Sequence, residues 1–326
     1  MTMAMPFRIA RLVAAAGLLL AGMVTAAAAP SYAPRPAMMA PRAASSLMLD
    51  VAAVEGRFVA VGERGQILRS IDGKTWTQVP VPVRAALTAV SFVDARHGWA
   101  VGHDAVILAT RDGGASWNLQ SYEPALEKPL LDVLFTDTRN GFAVGAFGLF
   151  LRTVDGGDNW QAVHTAVIDD EELNLHAVVR LGNGDLLIVG EQGRLLLSTD
   201  VGRSWTKLRS PVESTLFGAS AYGRGGALIC GLQGQAWVSG AVRDGGWRPI
   251  KTGTRHAFHA CTVSGRDRAL LAGAQGIVLL ADPVRRDSKR LKAPAGGAWS
   301  AMAIGTTALV LAGERGVHAI SLVPGR

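Results

Sequence analysis

A glycine-centred segment recurs along the chain, and its period limits the possible folds more than any other feature. The segments VGHDAVILATRDGGASW (101–117) and VGAFGLFLRTVDGGDNW (144–160) are near copies of one another. The glycine that ends the second apolar run of each copy recurs every 40 to 45 residues, at Gly62, Gly102, Gly145, Gly190, Gly231, Gly273 and Gly313. A second glycine follows three positions later in six of the seven copies, and Ala105 replaces it in the second. Such a period is typical of folds built from stacked structural repeats.

Each repeat has the composition of four short β-strands. A first apolar run such as LTAVSF is followed by a short turn, a second run such as WAVG, the GxxG turn and a third run such as VILAT. Glycine suits the GxxG turn because it tolerates positive φ. A turn rich in Asp and Gly then leads to a Trp that opens a fourth run. Four strands per 40 to 45 residues predict one blade of a β-propeller.

The Asp-Gly turn has a consistent pattern. TRDGGASW, TVDGGDNW and STDVGRSW fit S/T-x-D-x-G-x-x-W, and SIDGKTW is one residue shorter. The aspartate can accept backbone N–H bonds and the glycine supplies a left-handed residue, while the tryptophan can pack between neighbouring sheets. We interpret the pattern as a structural Asp box, carried by Asp72, Trp76, Asp112, Trp117, Asp155, Trp160, Asp200 and Trp205. Later repeats keep only parts of it.

The repeats together predict an all-β fold, a seven-bladed β-propeller of four-stranded antiparallel blades over residues 47–326. We place the repeats near 47–86, 87–129, 130–172, 173–215, 216–257, 258–298 and 299–326. The seventh repeat ends after its third strand. We therefore expect residues 29–46 to supply the missing outer strand, which would close the ring and remove two exposed sheet edges.

The first 28 residues have the order of a secretory signal peptide. Arg8 and Arg11 precede the apolar run LVAAAGLLLAGMV, and small residues follow it. This order predicts cleavage after Ala28 and a soluble, exported, periplasmic protein. An uncleaved anchor is the alternative, although the run is short of the ~20 residues that a membrane span needs.

Composition excludes several partners. Removal of the two arginines with the leader lowers the formal charge from +7 to +5, and lysine and arginine do not cluster with aromatic residues. We therefore expect no nucleic-acid partner. Cys230 and Cys261 lie in apolar runs and can be buried thiols or a disulfide. No cysteine or histidine spacing indicates a metal, and we expect no cofactor.

The repeat resembles a known family. SFVDARHGWAVGHDAVILATRDGGASW and LFTDTRNGFAVGAFGLFLRTVDGGDNW are similar to the unit of the photosystem II assembly and stability factors, within the sialidase-type Asp-box (BNR-like) repeat proteins. The resemblance extends over about residues 47–326. It implies a seven-bladed, exported, non-enzymatic factor that holds a precursor of a membrane protein through a basic patch. Fold likeness alone specifies architecture better than role.

Enzyme classes fit the sequence less well. A sialidase-like glycoside hydrolase is the alternative function, but its tyrosine nucleophile would have to be Tyr32, Tyr122 or Tyr222, and no Arg-Ile-Pro signature follows the leader. The acidic run Asp169–Glu172 is interpreted as a solvated loop rather than an acid–base pair. A ligand-sensing propeller that uses its central channel is a further alternative. We expect no catalytic residues.

Arginines recur in the turn between the first and second strands of the repeats. In a propeller these turns lie on one face of the disc, and the arginines are Arg57, Arg96, Arg139, Arg224, Arg266 and Arg268. Guanidinium groups suit bidentate recognition of carboxylates. The pattern predicts a protein partner, an acidic exported segment of a membrane protein, with the propeller monomeric and at most peripheral to the membrane. The alternative is that arginine is here only a soluble turn residue.

The GxxG turns occupy the opposite face. Phe147 and Leu232 at their tips are either a hydrophobic contact site or packed against neighbouring loops.

Overall fold

Hydrogen-bonded sheets recur in chain order as a ring of seven blades. The structure is a computed structural model and describes residues 33–169, 171–294, 297–306 and 308–321. The predicted signal peptide, residues 1–28, lies outside the described residues. Within each blade the strands pair antiparallel in sequence order, the first innermost and the last outermost.

The strands of the first four blades are as follows. Blade one contains β1 (Met48–Val54), β2 (Arg57–Gly62), β3 (Ile67–Ser70) and β4 (Thr77–Val79). Blade two contains β5 (Leu87–Phe92), β6 (Gly98–Gly102), β7 (Ile107–Thr110) and β8 (Asn118–Ser121). Blade three contains β9 (Leu130–Phe135), β10 (Gly141–Gly145), β11 (Phe150–Thr153) and β12 (Gln161–Ala162). Blade four contains β13 (Leu175–Arg180), β14 (Leu186–Gly190), β15 (Leu195–Ser198) and β16 (Thr206–Lys207).

Three further blades complete the ring. Blade five contains β17 (Leu216–Tyr222), β18 (Gly226–Gly231), β19 (Ala236–Ser239) and β20 (Arg248–Pro249). Blade six contains β21 (Phe258–Val263), β22 (Ala269–Gly273), β23 (Val278–Asp282) and β24 (Asp287–Arg290). Blade seven contains β25 (Trp299–Ile304), β26 (Ala308–Gly313) and β27 (Gly316–Ser321). The innermost strands of consecutive blades contact one another around the ring, and β25 contacts β1.

Within the described ranges, helical structure is confined to single turns. The GxxG turns of blades one to six are 3-10 turns at Glu63–Gly65, His103–Ala105, Ala146–Gly148, Glu191–Gly193, Leu232–Gly234 and Ala274–Gly276. Further 3-10 turns are Ala43–Ser45, Pro124–Leu126 and Val242–Asp244, and α1 is Ala166–Asp169. The second-last residue of each GxxG turn has a left-handed backbone, for example Asp104 at φ 60°. No helix in the described part of the chain is both long and apolar enough to cross a membrane.

The hydrophobic core is divided among the blade interfaces. The described residues form seven clusters, and each cluster joins side chains of two neighbouring blades. The second strand of every blade is almost wholly buried, because a sheet covered on both faces has no solvated side. The ring is therefore held by packing between sheets.

The described part of the N-terminal segment, residues 33–46, does not form the predicted closing strand, and residues 29–32 of that prediction lie outside the described residues. Over the described residues 33–46 it is extended and then turns at Ala43–Ser45, and the seventh sheet has three strands, β25 to β27. Its hydrogen bonds go to blade one: the Ala37 amide donates to the Val81 carbonyl and the Ala40 amide to Oε1 of Gln78. Pro34, Pro36 and Pro41 lack the N–H donors that a strand ladder requires.

The segment instead packs against blade seven before it enters blade one. A Cβ at Gly316 would lie 1.9 Å from the Ala44 carbonyl oxygen, as a Cβ at Gly65 would lie 2.1 Å from that of Val83. Ala44 thus occupies the position that Val83 occupies in the connection from blade one to blade two. Ala43 is buried in the cluster between blades seven and one.

Candidate functional site

The face that carries the predicted arginines is formed by two sets of turns. The turns between first and second strands and those between third and fourth strands lie on the same side of the disc, because successive strands are antiparallel. We call this side the arginine face and the opposite side the GxxG face. Arg96, Arg139, Arg224, Arg266 and Arg268 are exposed, and Arg57 is half-buried.

Arg96 and Arg139 are held in the same way on blades two and three. Oδ1 of Asp94 accepts the amides of Arg96 and His97, both at 2.7 Å, and Oδ1 of Asp137 accepts those of Arg139 and Asn140. The two aspartates thereby fix the turns that present the arginines.

The guanidinium groups are fixed by matching contacts. Nε of Arg96 donates to the Arg111 carbonyl at 3.2 Å, and Nε of Arg139 donates to the Val154 carbonyl at 3.4 Å. Each contact joins the first turn of a blade to its Asp-Gly turn. Among the described residues no carboxylate lies within ion-pair distance of either guanidinium, although the charge of Arg139 contributes to the lowered pKa of Asp137. The terminal nitrogens therefore keep their hydrogen-bonding capacity.

Burial alone would raise the pKa of Asp94, but the amides of His97 and Arg96 and the His97 side chain outweigh it, and the pKa is lowered. Burial also opposes the shift at Asp137, where the Arg139 amide and the two Asn140 donors lower the pKa. Both carboxylates are therefore ionised at neutral pH. They act as fixed acceptors for the turns beneath the arginines.

The other predicted arginines differ in setting. A Cβ at Gly113 of blade two would lie 2.3 Å from Nη1 of Arg57, so the Arg57 guanidinium lies against the neighbouring blade. Arg224, Arg266 and Arg268 are on the same face but on blades five and six, and no side-chain hydrogen bond positions them within the described structure. Arg57, Arg96 and Arg139 therefore lie on three consecutive blades, and Arg224, Arg266 and Arg268 lie on the neighbouring blades five and six.

The four aspartates of the Asp-Gly turns each bind their own turn. Oδ1 of Asp112 accepts the amides of Ala115 and Ser116 at 2.9 Å and the Thr110 hydroxyl at 2.8 Å. Asp72, Asp155 and Asp200 have equivalent contacts. The Thr75 and Lys74 amides lower the pKa of Asp72 to about 2. At Asp155 the Asn159 side chain and amide lower the pKa to about 2. These carboxylates stabilise the conformation of their own turns.

The tryptophans that follow lie between blades. Trp117 and Trp205 are buried, and Trp76 and Trp160 are half-buried. Trp117 packs in the cluster that joins blades one and two, edge-on to Phe92 with ring centroids 6.1 Å apart. Trp205 packs edge-on to Phe150 at 5.4 Å, in the cluster that joins blades three and four. The indoles thus cover the outer part of the blade interfaces beneath the arginine face.

Arg180, the last residue of β13, also lies on the arginine face, and its Nη1 donates to the Thr136 carbonyl of blade three. Sequence reasoning missed further features of this face. Arg111 adds positive charge beside Arg96. Ile71, Val154 and Val201 project from the Asp-Gly turns with more than half of their surface exposed. The signal for Asp94 and Asp137 was present in the repeated Asp-x-Arg of the two turns.

The central channel is lined by the first strands. A β-bulge near the start of each places one residue at the channel: Leu49, Thr88, Leu131, His176, Phe217, His259 and Ser300. The cavity has a volume of about 240 Å³. Asp50 and Asp132 also border it, and each accepts an amide of its own blade and one of the next blade.

The residues an enzyme would need are not assembled. Tyr122 packs in the cluster of blades one and two and Tyr222 in that of blades five and six, while Tyr32 is outside the described residues. No three potential metal-ligating side chains converge in the described part of the chain. Cys230 and Cys261 are buried free thiols on neighbouring blades, and burial raises the pKa of Cys230 well above its ordinary value. On the GxxG face, Phe147 and Leu232 are exposed.

Comparison with known proteins agrees with the repeat pattern. The model of the family described as photosynthesis system II assembly factor YCF48 matches residues 68–125 and 120–222. The chloroplastic photosystem II stability/assembly factor HCF136 of Cyanidioschyzon merolae is 37% identical over 59 residues, 18% of this chain and 14% of that protein. The photosystem II assembly protein Ycf48 of Thermosynechococcus vestitus is 33% identical over 60 residues, 18% of this chain and 17% of that protein. The matched stretches are therefore a small part of either relative.

Solved structures share the whole fold. A structure described as YCF48 bound to D1 peptide has a TM-score of 0.69 at 17% identity and covers 91% of this chain and 100% of its own. YCF48 from Cyanidioschyzon merolae has a TM-score of 0.66 at 18% identity and covers 87% of this chain and 97% of its own. The WD40 propeller domain of Doa1 reaches 0.69 at 10% identity, covering 88% and 95%. These likenesses show the propeller fold.

Proposed function

We propose that this chain, a seven-bladed propeller that resembles the photosystem II assembly factors, is an exported, non-enzymatic binding scaffold. It assists the assembly or stability of a membrane protein complex by holding an acidic exported segment of a membrane protein on the arginine face. The observation that carries the proposal is the matched geometry of Arg96 and Arg139. Two neighbouring blades present guanidinium groups in the same orientation, each anchored through Nε alone.

The contacts of Arg96 and Arg139 preorganise their guanidinium groups for binding. A guanidinium held by its Nε loses little conformational freedom when its terminal nitrogens bind a carboxylate, so less of the binding energy is lost to ordering. Exposed charges on one face also speed the encounter with an acidic segment, most strongly at low salt. The relatives' descriptions support a role in assembly, and one structural relative is described as binding a D1 peptide.

The proposal is tested by capture of membrane partners in the organism that makes the protein. The full-length chain with a C-terminal tag would be recovered from the periplasmic fraction after cross-linking to membranes, and its cross-linked partners identified by mass spectrometry. The triple variant R96E, R139E and R224E should reduce capture by at least about tenfold, because repulsion replaces attraction at the docking face.

The control is a triple variant of equal charge on the GxxG face, R64E, R255E and R315E, whose arginines are also exposed. It should capture partners as the unmodified chain does. Equal capture by all three proteins would contradict the proposed docking face, and a chain found only in the cytosol would contradict export. Saturable turnover of a glycan panel by the purified chain would contradict the non-enzymatic role.

A further inference from the structure

Blade one differs from blades two and three at the arginine face, and the difference opens a groove. In blades two and three the first turn spans five residues, 93–97 and 136–140, and its arginine reaches the carbonyl of the Asp-Gly turn. The corresponding hairpin of blade one has only two residues, Glu55 and Gly56, because Val54 pairs directly with Arg57. Among the described residues no side-chain hydrogen bond joins this hairpin to the Asp-Gly turn of blade one.

The resulting groove has a volume of about 850 Å³. It is lined by the 55–57 hairpin, by Arg69 to Asp72, and by Thr75 and Thr77. A smaller groove of about 340 Å³ shares the hairpin and Ile71 and continues toward Ile304 and Gly305 of blade seven. The two together form a continuous depression around Ile71, whose side chain is 84% exposed.

Two guanidinium groups line the larger groove without ionic partners. Nε of Arg69 is buried and has no hydrogen-bond partner among the described residues, and within the same residues neither Arg57 nor Arg69 forms an ion pair. The Asp72 carboxylate beside them is already occupied by the Ser70 hydroxyl and the Lys74 and Thr75 amides. Asp72 keeps its negative charge and Glu55 also lines the groove, but in the described structure neither carboxylate lies within ion-pair distance of Arg57 or Arg69.

We infer that this groove is a carboxylate-binding site for a peptide segment that carries an acidic residue beside an aliphatic one. Arg57 and Arg69 would bind the carboxylate, a group that the guanidinium fork fits bidentately. The hydroxyls of Thr75 and Thr77 supply further hydrogen bonds, and Ile71 supplies the apolar contact at the rim. The inference rests on the proposed function, because it assigns to blade one the anchoring pocket for the acidic segment docked on this face.

The test uses defined peptides and fluorescence anisotropy with the mature full-length propeller. The probes are a short fluorescein-labelled glycine–serine peptide with a Leu-Glu-Val-Glu core and the same peptide with glutamine for both glutamates. We expect the glutamate peptide to bind and the glutamine peptide to bind at least about tenfold more weakly. R69Q and R57Q should each weaken binding of the glutamate peptide by about tenfold, as expected for loss of a charge-assisted contact.

The matched control is R152Q on blade three. Arg152 has the same place in its third strand as Arg69, and its Nε is likewise buried without a partner among the described residues, but its guanidinium lies over the Phe142 ring at 5.8 Å. R152Q should bind the peptide as the unmodified chain does. Thermal unfolding of all variants distinguishes loss of binding from loss of the fold. R57Q changes a half-buried residue in the wall of the groove and provides a second test if R69Q fails to fold.

Three results would overturn the inference: no binding of the glutamate peptide, unchanged binding by both R57Q and R69Q, or an equal loss in R152Q. The outcome is separable from that of the proposed function. Unchanged R69Q binding together with lost capture by the R96E, R139E, R224E triple would overturn the groove alone. Lost R69Q binding with normal capture by the triple would overturn the docking face alone.

Discussion

The first glycine of each GxxG turn lies where no β-carbon fits. A Cβ at Gly102 would be 2.0 Å from the carbonyl oxygen of Ala86, and one at Gly145 would be 2.3 Å from that of Pro129. The innermost strand of the same blade begins directly after each carbonyl. These glycines are therefore required for close backbone approach, since their own φ angles are extended.

Substitution at this position should be costly. Gly102→Ala is expected to lower the free energy of unfolding by about 1–3 kcal/mol, the usual cost of forcing atoms into a packed site. Gly240→Ala is the control, because a Cβ there meets no atom within 4 Å. Chemical denaturation measures both. Equal stability of the two variants would contradict the close-approach explanation.

Part of the arginine site could also be predicted from individual residues of the sequence. The position of the arginines on one face follows from their place in the repeat. Their orientation does not, because it depends on Nε contacts with carbonyls of another turn, such as that of Val154, fifteen residues along the chain from Arg139. The groove of blade one depends on a missing contact, and a sequence gives no sign of which contacts are absent.

At the scale of elements, the first strands are joined to one another by the two channel carboxylates. Oδ2 of Asp50 accepts the Val90 amide of blade two at 2.7 Å, and Oδ2 of Asp132 accepts the Val178 amide of blade four at 2.8 Å. Burial raises the pKa of Asp50 to about 6. Burial, with a contribution from the charge of Asp50, raises the pKa of Asp132 to about 7.

These shifts predict a pH dependence of stability. Because the folded-state pKa values exceed the ordinary value of 3.8, the folded protein binds protons more tightly than the unfolded chain. The penalty for burying the charges is absent below about pH 4 and grows until pH exceeds the folded values. Between pH 5 and 8 the unmodified chain should lose about 1–3 kcal/mol more stability than D50N/D132N, a range reduced for contact with channel water.

Urea denaturation across this pH range checks the difference between the two proteins. His176 borders the channel and burial lowers its pKa, which acts in the opposite direction, but it is present in both proteins and its effect cancels. Parallel pH profiles for the two proteins would contradict the assignment of raised pKa values to the carboxylates.

At the same scale, the strands were predictable and the channel was not. Apolar runs that alternate with turn residues identify the strands, because the local backbone conformation favours particular residue types in strands and in turns. The bulge that turns His176, Phe217 and His259 toward the channel is a pairing feature between strands. Nothing in single runs such as LHAVVR marks it.

At the scale of the whole molecule, the number of blades follows from the repeat, but the closure does not. The ring is closed by packing: Met48, Val51 and Phe58 of blade one form a cluster with Ala301 and Val310 of blade seven. Residues 33–46 add the connection between these blades and hydrogen bonds to the outer part of blade one. The absence of a fourth strand from the seventh repeat was therefore not a sufficient reason to predict that the N-terminal segment supplies one.

The propeller has two faces that carry exposed arginines, and we propose that the arginine face holds the partner. The most direct test is hydrogen–deuterium exchange of the propeller alone and in complex with its captured partner. We expect slower exchange of the turn amides at 93–97 and 136–140 in the complex, and unchanged exchange at the GxxG turns 146–148 and 232–234. Protection confined to the GxxG turns, with the turns around Arg96 and Arg139 unaffected, would contradict the account.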